Sequence, residues 1–436
     1  MKKSKLFILL GTVFSLAACG GDVKGIRGAS ILREPSKTGT SYDYRENDYL
    51  EFKRKLCDFS TKFSESFLKN KFKDNENILS SPFSLEMCLG LAVCSSSGKT
   101  RQELLDTLEF DFTTFNKYYK RLYVEHNLSK LNDENDLMFQ IMCSNSIWID
   151  NDIKLLDSGL DALRDDYSCY SYETDFSSKD ASKAIGEFIN IQSKGLLKPT
   201  LDFDPRTLFV LMNTLYLKDI WNVFGEDINY SNDPNHYFVN SNKVKSSKKL
   251  LRGYYEIGKA IMTEDYSSFY TSTLNGFEIY FIKPNDGKDL KTVFNKDAMD
   301  YVLGNNYVLV DDEKKEEYYT RAIFPEFNAS CDTDLTSILM HDFNITSLFD
   351  SENCKFSNLT DEAVFCKEVR QIAKLDVNKK GIEGAAVTYM TSNGTAAPDE
   401  KYTKVYEDFV VDKEFGFILT YCDSVLFSGV INNIDK

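Results

Sequence analysis

Three histidines, His126, His236 and His341, are the whole imidazole supply of this 436-residue chain. Each is isolated in polar sequence surroundings, so a Ser–His or Cys–His nucleophilic arrangement has little support. No G-x-S-x-G stretch occurs, which argues against a hydrolase elbow as well. Ten cysteines are present, yet none forms a CxxC or a Cys/His pair with metal-ligand spacing. The residue types therefore do not point to an enzyme, and they imply no cofactor and no metal.

Two stretches could instead be acted upon. The first is MKKSKLFILLGTVFSLAACG, with lysines at 2, 3 and 5, an apolar run from Leu6 to Phe14 and small residues before Cys19. It reads as a secretory signal, too short to span a bilayer. Its ending, Leu16-Ala17-Ala18-Cys19, resembles a bacterial lipobox, in which Cys19 would be acylated and become the new N-terminus. Removing residues 1–18 takes the formal charge from −15 to −18. A protein this acidic is a poor match for nucleic acid, and its acyl chains, not charge, would hold it to a membrane.

The second stretch is GIEGAAVTYMTSNGTAAPDE, residues 381–400. Very small residues alternate like a strand and then give way to Asn, Gly, Thr, Ala and Pro. A polar connection of this length is uncommon in a folded domain unless it is functional or disordered. With a period of two, Ile382, Gly384, Ala386 and Thr388 face one way, and Glu383, Ala385, Val387 and Tyr389 the other. The first set carries no charge.

The elements around these stretches follow from their apolar spacing. Residues 20–46 are rich in Gly, Ser and Arg and read as a flexible tether. From Tyr49, the positions Phe52, Leu56, Phe59, Phe63 and Phe67 recur at helical spacing. A second helix follows Ser81-Pro82, with Ser84 placed to cap it and Leu85, Leu89 and Val93 as its buried stripe. Met138 to Ile149 alternates as a strand, and the nearly all-apolar run Thr207–Leu217 belongs in the middle of a sheet covered on both faces. Two apolar strands, FGFILTYC and VLFSGVIN, close the chain around a short Asp423-Ser424 turn. Helices first and strands later give an α+β class with large sheets. Cys57, Cys88, Cys94, Cys143 and Cys366 sit among apolar neighbours and read as buried free thiols.

In this order the motifs resemble those of the serpin family, from about Tyr49 to Asn432. NILSSPFS from Asn77 is similar to N-I-x-x-S-P-x-S. SSGKT before the helix RQELLDTL is similar to G-A-x-G-x-T, and SNSIWI from Ser144 resembles the family's alternating central strand. FINIQSKGLL from Phe188 resembles W-V-x-x-x-T-x-G-K-I, and MNTLYLKDIW from Met212 resembles V-N-A-I-Y-F-K-G-x-W. FPEF from Phe324 is similar to L-P-K-F, and LFSGVIN from Leu426 to L-F-x-G-R-V-x-N. VNKKGIEGAAVT from Val377 resembles the hinge V-N-E-E-G-T-E-A-A-A-A-T.

The resemblance implies helices packed around three β-sheets, with residues 47–436 as the serpin domain, 19–46 as lipidated Cys19 and tether, and an exposed reactive-centre loop after the hinge. It implies a suicide substrate, not an enzyme. A serine protease, or a cysteine protease, cuts the loop and is caught as an acyl-enzyme while the hinge Gly381, Ile382, Glu383, Gly384, Ala385, Ala386, Val387 and Thr388 inserts into the main sheet. The alternative is a non-inhibitory serpin that serves as protease substrate or binding module. Counting from Gly381 places the scissile bond at Thr395–Ala396, which suits an elastase-like or subtilisin-like protease. Counting back from Phe409 favours Lys401–Tyr402 and a trypsin-like one. A gate below the sheet is expected from Ser81, Ser84 and Asn213, with Gln371 standing where the family has a histidine and able to bond Asn213 and the serines. Lys379 and Lys380 replace the usual acid pair, and Ile382 the usual Thr or Ser. The expected protein is a monomer in the bacterial cell envelope, periplasmic or surface-exposed (extracellular), with the protease and the membrane as its partners.

Overall fold

The aromatic stripe that begins at Tyr49 does fold as one long helix. In the computed structural model, which describes residues 23, 25–35, 46–131, 137–221, 228–383 and 402–435, α1 (Asn47–Lys71) buries Tyr49, Phe52, Leu56, Phe59, Phe63 and Phe67. These positions return to one face every three or four residues. Helix α2 (Pro82–Ser95) is apolar on every side and is buried almost throughout, as a helix inside a core must be. Pro82 takes the first helical position, where its missing N–H costs nothing. Ser81 stands just before the helix and Ser84 lies within its first turn, so Ser84 is not the cap that its spacing suggests.

The other helices are α3 (Gly98–Leu108), α4 (Phe112–Glu125), α5 (Asp157–Tyr167), α6 (Lys179–Gln192), α7 (Leu290–Val293), α8 (Lys296–Leu303) and α9 (Thr336–His341).

Among the described residues the main sheet has eight strands. These are β1 (Ala29–Arg33), β3 (Asn127–Leu131), β4 (Leu137–Asp150), β5 (Cys169–Thr174), β6 (Phe209–Ile220), β16 (Phe327–Asp334), β17 (Arg370–Asn378) and β18 (Gly381–Ile382). They lie in the order β1-β5-β4-β6-β18-β17-β16, with β3 paired on β4. A second sheet joins β7 (Asn229–Tyr230), β10 (Leu251–Ile257), β14 (Val310–Asp311), β15 (Glu316–Phe324) and β19 (Thr403–Val410). The third joins β2 (Ile78–Ser80), β11 (Ile261–Met262), β12 (Tyr266–Ser272), β13 (Phe277–Pro284), β20 (Phe415–Tyr421) and β21 (Ser424–Ile431). Strands β8 (Tyr237–Val239) and β9 (Lys245–Lys249) form a separate hairpin. The α+β class with three large sheets expected from the sequence is the class observed.

Several sequence expectations change on contact with the fold. The last hairpin turns at Cys422-Asp423, not Asp423-Ser424; both residues have positive φ, 49° and 63°, the backbone that a two-residue turn between twisted strands requires. His126 is fully buried despite its polar sequence neighbours, stacked on the Phe83 ring at 4.2 Å. The nine described cysteines are all free, and burial pushes the Cys57, Cys88, Cys94 and Cys143 thiols up to about 12, so none of these four is a nucleophile at neutral pH.

Residues 29–33, assigned to the flexible tether, are instead strand β1, bonded antiparallel along β5. Val23 and Ile26 ahead of it are buried in a small core with Trp148, Tyr172 and Phe188. Their apolar side chains find a cover that the Gly- and Ser-rich composition of the segment hides.

Candidate functional site

The site forms where two parallel strands fail to meet. On its outer edge β6 pairs with β4, from Ile149↔Phe209 to Gln140↔Lys218. On its own outer edge β17 pairs with β16, from Asp334↔Arg370 to Phe327↔Val377. Between them at one end sits β18, with Gly381 opposite Ile220 and Asn378, and Ile382 opposite Asp219 and Val377. A strand seated between β6 and β17 holds them two strand spacings apart, about 9.5 Å. Below Asp219 no described strand fills that width.

A slot therefore continues along the sheet. Its upper part, a cavity of 70 Å³, runs between Asn213 and Leu215 on one side and Gln371 and Ala373 on the other, with Ser81 and Ser84 among the residues beneath. It adjoins a cavity of 240 Å³ bordered by Phe209 to Thr214, Ile372 and the α6 residues Ile185 and Ile189. The run is covered on both faces as expected, Phe209 and Leu211 packing on the main core and Val210 and Met212 on the smaller one, and its partial exposure from Phe209 to Asn213 lies beside the open strand position.

Backbone chemistry explains how the hinge enters. Gly381 has φ +150°, and a Cβ there would stand 2.0 Å from the Asp219 carbonyl oxygen, so only glycine lets the chain lie this close to β6. Ile382 is fully buried, its side chain forming part of the main core. Glu383 then takes φ +60°, a left-handed backbone unusual for a residue that carries a Cβ. Its N–H donates to the Asp376 carbonyl at 2.7 Å. Its carboxylate accepts from the Tyr216 hydroxyl at 2.9 Å. The carboxyl is half-buried where alternation placed it on the outer, solvated set, and burial raises its pKa against the opposing hydrogen bond from Tyr216.

The turn before the hinge is clamped from both sides. The Trp221 indole N–H donates to the Asn378 carbonyl at 2.7 Å, and Glu326 accepts from the Lys379 backbone N–H at 2.7 Å and from the Tyr230 hydroxyl at 2.9 Å. Glu326 thus brings an acid to the place where Lys379 and Lys380 replace two. Asp219, opposite Ile382, is held by the Asn275 backbone and side-chain N–H groups, each at 2.8 Å. Burial still pushes its carboxyl up to about 6.

Below the hinge the expected gate is only partly assembled. Gln371 donates its amide to the Ser81 carbonyl at 2.8 Å and accepts from the Ser81 N–H at 2.9 Å. Ser81 in turn donates its hydroxyl to the Leu426 carbonyl. Asn213 is not joined to Gln371 as its residue type allowed. Its amide donates instead to Asn145 Oδ1 at 2.9 Å and to the Cys143 sulfur at 3.0 Å. Asn145 stands directly across the β4–β6 pairing and takes Asn213 first. Asn213 Oδ1 is left buried with no partner among the described residues. Sequence reasoning missed Tyr216, Asn145 and Glu326, although Tyr216 lies within the MNTLYLKDIW motif. Cys19, Gly384 to Thr388, Thr395, Ala396 and Lys401 lie outside the described residues; Tyr402 lies just ahead of β19.

Residues 54–434 match the model of one family, Serpin (serine protease inhibitor). The chain belongs to the serpin family. This serpin is 24% identical over 436 residues to Serpin A3-1 of Bos taurus, covering 96% of this chain and 97% of the relative. It is 24% identical over 374 residues to Serine protease inhibitor 88Ea of Drosophila melanogaster, covering 82% and 85%. Its fold is similar to that of Tengpin, a thermophilic serpin, in the native state, with a TM-score of 0.72 over 93% of this chain and 99% of that one at 17% identity. It is also similar to thyroxine-binding globulin in complex with thyroxine, with a TM-score of 0.70 over 88% and 99% at 19% identity.

Proposed function

We propose that this serpin is an inhibitor that traps a serine protease by loop insertion and that it is held to a membrane by lipid on Cys19. One observation carries the inhibitory reading: two hinge residues already occupy the position between β6 and β17, and the slot beyond them is open.

Carrying the register onward sets Glu383 against Lys218 and Asp376, Ala386 against Leu215 and Ala373, and Thr388 against Asn213 and Gln371. Thr388 would then bring a hydroxyl to a buried gate atom that lacks a partner among the described residues, Asn213 Oδ1. Residue 392 would reach Phe209, the first residue of β6. A cut at Thr395–Ala396 leaves three further residues, 393–395, to carry an acyl-linked protease clear of the sheet. A cut at Lys401–Tyr402 leaves nine, 393–401, slack enough to loosen the trap. Thr395 is therefore favoured, and with it an elastase-like or subtilisin-like protease whose pocket takes a small side chain.

The chain from residue 20 onward, incubated with elastase-, subtilisin- and trypsin-like proteases, tests the reading on denaturing gels and by mass spectrometry. A covalent band at the summed mass and a released peptide beginning at Ala396 are expected. Clean cleavage with no adduct and an active protease would instead make it a non-inhibitory serpin. The fully buried Ile382, bulkier than the family's Thr or Ser, is the observation that favours that second outcome.

A further inference from the structure

Strand β1 fixes where the N-terminal segment joins the body. The Val23 carbonyl accepts from the Tyr172 hydroxyl at 3.2 Å, and the Gly28 carbonyl from the Thr174 hydroxyl at 2.7 Å. Gly28, with φ +91°, passes so near α6 that a Cβ there would stand 2.9 Å from Asp180 Cβ. Arg33 closes the segment on α5, at 2.7 Å from Asp157 and 3.0 Å from Asp161. Val23 and Ile26 are 5% and 4% exposed, so both aliphatic side chains are withdrawn from water. The segment is built into the domain at both ends of its length.

Its level along the sheet follows from the pairings. Tyr172, which holds Val23, is opposite Trp148. Trp148 is opposite Val210, whereas the hinge residue Ile382 is opposite Asp219, nine residues further along β6. At the rise of a β-strand that is about 30 Å. Cys19 is four residues from Val23, a reach of about 14 Å at full extension.

We propose that Val23 and residues 25–33 form a strap that brings the N-terminal lipid out at the corner of the main sheet farthest from the hinge. That corner then faces the bilayer, and the hinge residues Gly381 and Ile382 are presented away from it. The partner is a lipid surface, met through the acyl chains and not through a basic patch. This inference rests on the reading of Cys19 as the lipidated residue. Without the strap, the 27 residues from Cys19 to Glu46 would reach about 90 Å and would impose no orientation.

The test uses the mature lipoprotein, processed in a bacterial host, in vesicles of neutral phospholipid carrying a headgroup quencher. Cys422, the one exposed thiol among the described cysteines, is replaced by serine. A fluorophore is then placed at Ser177→Cys, exposed just ahead of α6, or at Lys380→Cys, exposed in the turn before the hinge. Severalfold stronger quenching at position 177 than at 380 is expected, and Val23→Asp with Ile26→Asp should erase the difference. Equal quenching at the two sites with the strap intact, stronger quenching at 380, or no vesicle association would each overturn the proposal. If the strap variant does not fold, the two labels on the intact strap still decide. Protease trapping by the unanchored chain is read separately, so its loss would not touch the orientation.

Discussion

The Tyr216 hydroxyl reaches the Glu383 carboxylate over 2.9 Å, one residue past β18 and at a left-handed backbone position. The bond ties the outermost seated part of the hinge to β6, and it does so at a backbone conformation that costs energy to hold. Tyr216→Phe leaves a half-buried carboxylate without its donor, a loss of about 1–3 kcal/mol to the seated hinge. Amide exchange at Ile382 and Glu383, read by hydrogen–deuterium mass spectrometry, should accelerate roughly tenfold for each 1.4 kcal/mol lost. Unchanged exchange would mean that Gly381 and Ile382 are held by their strand pairing alone.

The proposed insertion puts a second demand on the hinge. Thr388 belongs to the inward set, and the register of Gly381 and Ile382 carried onward would bring it between Asn213 and Gln371. Thr388→Arg would force a guanidinium into a narrow slot lined at that level by the neutral Asn213, Gln371, Ser81 and Ser84, where no carboxylate balances its charge. The variant should be cut by the same protease at an unchanged rate, because the cut precedes insertion, yet give no covalent band. An undiminished adduct would refute insertion past this point.

The helical stripe of α1 and the nearly all-apolar run of β6 were legible because each is a local pattern that states its burial. What the hinge does in the folded protein was not legible. Glu383 reads as an outward strand residue, but a left-handed turn at that residue aims it at Tyr216. Gln371 and Asn213 carry compatible amides, but the β4–β6 register delivers Asn145 to Asn213 first. His126 has polar neighbours in sequence and the Phe83 and Tyr421 rings in space. The tether was misread for the same reason. Val23 and Ile26 look isolated among glycines and serines until Trp148 and Phe188 supply the other half of their core. In each case the deciding partner is remote in sequence.

Gln371 satisfies both backbone groups of Ser81, the residue that leads into α2. Gln371→Ala leaves a buried donor and a buried acceptor, and each orphaned group costs about 1–3 kcal/mol. Thermal unfolding should shift down by several degrees. Gln371→Met, close in volume but without the amide donor and acceptor, should recover little of the loss. Full rescue by Met would place the effect in side-chain volume and not in the paired hydrogen bonds.

Glu86 gives a pH signature that belongs to the fold alone. It is buried in α2 with the Ser60 hydroxyl donating to it at 2.6 Å, and burial pushes its carboxyl from an ordinary 4.5 up to about 8. Between those values the folded chain keeps a proton that the unfolded chain has lost, so stability falls as pH rises through the window and levels off above about 8. Each pH unit inside the window is worth about 1.4 kcal/mol for this one group. Glu86→Gln keeps an acceptor for Ser60 and never ionises. The variant should match the wild type near pH 4.5, then become progressively more stable than it toward pH 8, gaining on the order of 3–5 kcal/mol. The difference between the two melting curves isolates Glu86, since every other titrating group is shared. Parallel curves across the whole range would mean that the buried carboxyl ionises without cost, which its single hydroxyl partner does not allow.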